Sequence, residues 1–163
     1  MFLRKTLDWG HHLVKVTYDY MLELAARKNA MLFLFIVAFV ESSFFPIPPD
    51  IMLIPMVLAT PAKAYRIAGL ATVASVLGGY FGYLIGVFGY DLIAKPILTF
   101  YGYMSQFDVF KGYYHEWGAW IVFGAGLTPF PYKVVTIASG VVHLDLLVFT
   151  VASVLARGGR FFL

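Results

Sequence analysis

Residues 41–50 read ESSFFPIPPD, setting Pro46, Pro48 and Pro49 between two apolar stretches at 30–40 and 51–60. Proline lacks the backbone N–H and pushes the residue before it out of helical conformation, so a helix entering this segment must end there. At 1.5 Å per residue each flanking stretch covers only about 15 Å, half of what a bilayer-spanning helix needs. The pattern predicts helix, broken tip, helix, with both ends on one side, over 30–62. Broken backbone at membrane depth is tolerated only where protein or a wet cavity satisfies it.

The solvent implied by the rest of the chain is lipid. Of 163 residues, 61% are hydrophobic and 13% charged, with a mean hydropathy of +0.80, against about 25% charged in ordinary soluble domains. Residues 67–94 are nearly uncharged, and Ala74, Gly78, Gly82 and Gly86 recur every four positions, predicting a spanning helix with a close-packing face. Residues 95–117 are polar and aromatic and read as an interfacial loop or helix, with Trp117 and Trp120 suited to a membrane boundary. Residues 118–142 repeat the first design, broken this time by TPFPYK with Pro129, Pro131 and Lys133. Residues 144–163 are again apolar and predict a second spanning helix. Residues 1–29 mix leucine and valine with Arg4, Lys5, Lys15, Arg27 and Lys28, as in an amphipathic helix lying in the headgroup region or packed on the body. No signal-peptide pattern precedes Met31, so the N-terminus is read as retained.

The expected fold is therefore an all-α integral membrane protein. It has two inverted units, each a re-entrant helical hairpin plus a spanning helix, preceded by the interfacial helix and followed through to residue 163. Such inverted repeats organise many transporters. Arg4, Lys5, Lys15, Arg27, Lys28, Lys63 and Arg66 fall on the side of the N-terminus, and only Lys95 and Lys111 in the opposite loop. The basic bias places the N-terminus in the cytoplasm.

Charges in such a chain carry the functional argument, because each is costly in hydrocarbon. Glu41 and Asp50 flank the first break, Lys133 lies in the second, and Arg157 and Arg160 sit one helical turn apart in the last segment. One reading gives proton coupling to Glu41 and Asp50 and substrate binding to Lys133, Arg157 and Arg160, which would attract an anion such as a phosphate. The other makes them salt bridges that hold the hairpins together. His11, His12, His115 and His143 show no metal-ligand spacing, and no metal or cofactor is expected. The absence of cysteine removes thiolate chemistry and disulfides, and the spread of basic residues disfavours nucleic acid. An enzyme is not expected: a lipid phosphatase needs histidines near the basic cluster, and an intramembrane serine protease needs a histidine partnering Ser42, Ser43 or Ser139.

ESSFFPIPPD at 41–50, GGYFGYLIG at 78–86, AGLTPFPYKVVTIASG at 125–140 and RGGRFF at 157–162 resemble the DedA family, also called the SNARE-associated or VTT-domain family, and within it the YqaA-like branch. The resemblance covers residues 30–163. It implies two opposed re-entrant hairpins, a multi-pass protein of the bacterial inner membrane, and movement of lipids such as undecaprenyl phosphate or phospholipid between leaflets, linked to the proton-motive force. The family's acidic pair corresponds to Glu41 and Asp50. Many members carry arginines on both sides of the second hairpin's proline, where this chain has Gly126 and Tyr132, a departure that bears on undecaprenyl phosphate as the particular substrate. Arg157 and Arg160 match the branch's basic motif and would supply that charge. Membrane lipids, an anionic lipid-phosphate substrate and protons are the partners implied, with self-association left open. Coupled exchange of a small solute and a non-transporting assembly role are the alternatives.

Overall fold

A computed structural model of the chain describes residues 2–43, 48–128 and 132–162, with side chains from residue 10 onward. Eight α-helices account for nearly all of them: α1 (Phe2–Ala26), α2 (Ala30–Ser43), α3 (Asp50–Ala59), α4 (Ala64–Gly89), α5 (Lys95–Tyr101), α6 (Met104–Leu127), α7 (Tyr132–Val141) and α8 (Leu146–Phe162). No strand occurs among the described residues, and the fold is all-α.

The helix ends follow local chemistry. Helix α2 stops at Ser43, and α3 begins after Pro49, with Asp50 in its first turn where a carboxylate complements the helix dipole. Pro46, Pro129 and Pro131, expected at the hairpin tips, lie outside the described residues. A 3-10 turn at Pro61–Lys63 leads from α3 into α4. Helix α8 starts on Asp145, whose Oδ1 accepts from the backbone N–H groups of Leu147 and Val148 at 2.9 and 3.1 Å. Helix α7 closes with His143 in left-handed conformation at φ 53°, while the Leu144 N–H reaches back to the Ser139 carbonyl at 2.9 Å. That closure usually takes glycine.

Two expected boundaries shift. The long helix begins before residue 67 and runs past 94: Pro61–Tyr101 is one helical segment of 41 residues, with a π-helical turn at Tyr90–Ala94. Likewise α6 crosses 117/118 without interruption, so the polar stretch YYHEW lies in the middle of a continuous helix. Among the described residues, Pro61–Tyr101 alone is long and apolar enough to cross a membrane. Helix α8, expected to span, is 17 residues long and carries two arginines.

Helix α4 is the axis of the body and packs against α2, α7 and α8, while α6 packs against α8. Its glycines make this possible. A Cβ on Gly78 would strike the Phe39 backbone of α2, one on Gly82 the Thr136 side chain of α7, and one on Gly86 the Ile137 and Gly140 backbone of α7. Directions follow from the same contacts. Gly79, Gly82 and Gly86 meet Tyr132, Thr136 and Gly140 in rising order, so α7 runs parallel to α4. Gly118 and Gly126 meet Leu144 and Ala156, so α6 runs parallel to α8. Tyr83, Tyr80 and Ser75 meet Leu144, Thr150 and Arg157, so α8 runs antiparallel to α4.

Along most of α4, side-chain size is arranged inside out. Helix α4 buries Ala71, Ala74, Ser75, Gly78, Gly79, Gly82 and Gly86 and exposes Val73, Leu77, Phe81, Leu84, Ile85 and Phe88. Helix α8 is mixed: it buries Phe149, Arg157 and Phe161 beside Ala152, Ser153 and Ala156, and exposes Leu147, Val151, Val154 and Leu155. A chain folded in water places its large apolar side chains the other way round. Helix α1 rests on α2 and α3 through Met21 and Leu24, and its turns from Leu13 to Tyr20 are largely exposed.

Candidate functional site at the ends of the broken helices

Helix α8 carries RGGR at residues 157–160, and its two arginines reach the two ends of the first break. Arg157 pairs with Glu41 at the end of α2 at 2.8 Å, and Arg160 pairs with Asp50 at the start of α3 at 2.6 Å. The pairs have different surroundings. Side-chain exposure is 2% for Arg157 and 17% for Glu41, against 25% for Arg160 and 31% for Asp50.

The inner pair is closed by hydroxyls and rings. Arg157 Nε donates to Ser75 Oγ on α4, the Ser42 and Ser75 hydroxyls are in hydrogen-bond contact, and Ser42 Oγ donates to Glu41 at 3.2 Å. One proton direction satisfies the whole ring: Arg157 donates to Ser75, Ser75 to Ser42, Ser42 to Glu41, while Arg157 also donates directly to Glu41. The guanidinium lies between the Tyr132 and Phe161 rings, 4.8 Å from each centroid, and the Tyr132 hydroxyl donates to Ser153. A cation desolvated between two aromatic faces gains from both. No buried side-chain nitrogen or oxygen among the described residues lacks a partner.

Hydroxyls also bind backbone carbonyls where α2 meets α4 and α7. Thr136 Oγ1 on α7 donates to the Ser42 carbonyl at 3.3 Å, and Ser43 Oγ donates to the carbonyls of Phe39 and Gly78 at 2.8 and 3.1 Å. The end of α2 and the first turns of α7 thus meet over Gly82.

Arg160 joins the two breaks. Its second terminal nitrogen donates to the Thr128 carbonyl, the cap of α6, at 2.9 Å, so one guanidinium holds Asp50 beside the first break and a helix C-terminus beside the second. A cation suits that negative helix end. Beside the outer pair opens a cleft of about 520 Å³ between α3, α4 and the end of α8.

Of the residues singled out in the sequence, Glu41, Asp50, Arg157 and Arg160 come together. Lys133 does not join them: its side chain is half-buried and forms no ion pair among the described residues. Gly126 sits where a Cβ would meet the Ala156 methyl at 2.7 Å, and Tyr132 supplies a face to Arg157. Sequence reasoning missed Ser75, Thr136 and Ser153, since a lone hydroxyl in an apolar run reads as a small packing residue, and it named Ser42 and Tyr132 without placing them beside Arg157. His115 bonds the Val142 carbonyl at 2.8 Å and His143 meets the edge of Tyr90. Among the described residues no three His, Asp or Glu side chains gather as metal ligands.

No protein-family model matches the chain, and no solved structure matches it. An uncharacterized protein of Haemophilus influenzae is 38% identical over 146 residues, which cover 90% of this chain and 76% of that protein. An uncharacterized protein of Histophilus somni, described as an HI0703 homolog, is 40% identical over the same shares. The chain belongs to the family of these two bacterial proteins.

Proposed function

We propose that this protein is a multi-pass protein of the bacterial inner membrane, its N-terminus cytoplasmic, that moves phosphate-bearing lipids between leaflets in a way linked to the proton-motive force. On this reading it is a DedA-like transporter, not an enzyme, and its units 30–94 and 118–163 are inverted copies, each a re-entrant hairpin followed by a spanning helix. The distribution of large exposed and small buried side chains along most of α4 supports the membrane setting. The parallel pairs α2 with α4 and α6 with α8, set antiparallel to each other, support the inverted repeat.

The observation that carries the transport reading is the buried Glu41–Arg157 pair, placed where α2 ends inside the body. Ionisable groups in such a position are functional by default, and a carboxylate released from its arginine by protonation couples a proton to movement of the helices around it. In proteoliposomes, the purified protein is expected to carry a labelled polyprenyl phosphate or phospholipid across the bilayer. Movement no faster than in empty vesicles, with folded protein demonstrated, sinks the reading.

A second reading is favoured by one specific feature: both arginines are already neutralised by carboxylates, so the charges could serve only to fix the fold of a non-transporting assembly factor. Charge exchange separates the two. Recovery of activity in the pair E41R with R157E supports the structural role, and persistent loss at normal abundance supports transport.

A further inference from the structure

The two ion pairs do not have the same job. Arg157 is enclosed by Tyr132, Phe161, Ser42 and Ser75 and offers no face to a ligand. Arg160 and Asp50 instead form the polar rim of the cleft between α3, α4 and the end of α8. Its volume of about 520 Å³ falls within the range of small-molecule sites. Its walls are otherwise apolar, and Ile54, Leu58, Tyr65 and Phe162 leave it open along its flank. One charged rim on a hydrocarbon slot matches a molecule with the same division. A guanidinium is a strong donor to an oxyanion, and Arg160 now gives one terminal nitrogen to the Asp50 carboxylate.

We propose that this cleft binds an anionic amphiphile, its oxyanion head exchanging for Asp50 on Arg160 and its hydrocarbon chain lying along α3 between α4 and Phe162. The assignment rests on the membrane reading above, since the ligand enters from lipid. It deepens that reading by giving the contact that exchanges with the ligand to the outer pair and leaving proton exchange to Glu41–Arg157. Asp50 is then the ligand's competitor, which makes a prediction of unusual sign. Removing its charge strengthens binding, whereas a residue that merely supported the fold would weaken it.

The test is photolabelling of the full chain in phosphatidylcholine nanodiscs with a dodecyl phosphate bearing a diazirine at its chain end, followed by peptide mapping. Labelling is expected on residues 53–68 and 161–162, suppressed by excess dodecyl phosphate but not by equal inorganic phosphate or dodecanol. Arg160→Gln is expected to weaken it about tenfold or more, and Asp50→Asn to strengthen it several-fold, in line with the loss or release of a charge-assisted bond. Ile54→Trp fills the slot and leaves both charges in place, so labelling falls even if R160Q does not fold. Equal competition by dodecanol overturns the proposal in favour of a plain apolar surface, and equal competition by inorganic phosphate in favour of a free-anion site. Folded D50N that binds no tighter overturns the exchange with Asp50. Binding without lipid movement sinks the transport reading alone; lipid movement without binding sinks this site alone.

Discussion

Arg157 is 1% exposed, and what surrounds it determines what a substitution there would cost. Replacing it with methionine leaves Glu41 facing a site from which water is largely excluded, and breaking a buried pair from one side costs about 3–5 kcal/mol. Replacing both partners with neutral residues of similar volume removes the uncompensated charge, and such swaps are often close to neutral. R157M is therefore expected to lower thermal stability in detergent strongly, and E41Q combined with R157M to recover most of the loss. A double variant as unstable as R157M would mean that the hydroxyl ring, not the ion pair, holds this region together. The four charges of the site were legible in the sequence because each interrupts an apolar run. Their partners were not, because Ser42 and Ser75 lie 33 residues apart and Tyr132 had no visible reason to face an arginine on α8.

At the scale of elements, Gly82 of α4 and Gly124 of α6 sit in opposite surroundings. Gly82 lies against Thr136 and the Ser42 carbonyl, so a larger side chain must push α7 and α2 away from α4 together. Overpacking of this kind costs about 1–3 kcal/mol or more. Gly124, inside α6, would meet nothing within 4 Å if given a Cβ, and alanine there removes only the conformational freedom of glycine. G82L is expected to melt well below the parent, and G124A at or above it, by about 0.5–1 kcal/mol. Equal behaviour of the two would contradict the packing of α2, α4 and α7. The prolines marked where α2 must end and α3 begin, since the missing N–H is a local fact. The continuity of α6 was not legible, because a change from polar to apolar composition at 117/118 alters what a helix faces without interrupting its backbone hydrogen bonds. The π-helical turn at Tyr90–Ala94 had no sequence signal at all.

The molecule as a whole has two unlike ends. Because α2 and α4 run parallel, and α8 runs against them with Phe162 beside Tyr65, the turns holding Arg27, Lys28, Lys63 and Arg66 lie at the end toward which α8 runs, with Arg157 further in beside Ser75. The other end, tied together by the Tyr90–Phe107 stack and the Tyr90–His143 contact, holds Lys95 and Lys111 with Asp91, Asp108, Glu116 and Asp145. Helix α4, with 26 residues, is about 39 Å long and exceeds a hydrocarbon core of about 30 Å, so its two ends must emerge on opposite faces if it crosses. On the proposed reading the basic end faces the cytoplasm. The sequence contains no cysteine, so single cysteines can be placed without background. Ala62→Cys marks the basic end, and Ser105→Cys and Leu146→Cys mark the other; all three positions are exposed. In intact spheroplasts an impermeant maleimide is expected to label positions 105 and 146, and to label 62 only after the membrane is opened. Labelling of 105 and 146 on opposite sides would be incompatible with α8 running back along α4. Labelling of all three from outside would remove α4 from the bilayer, and with it the lipid-facing role of Leu77, Phe81 and Phe88.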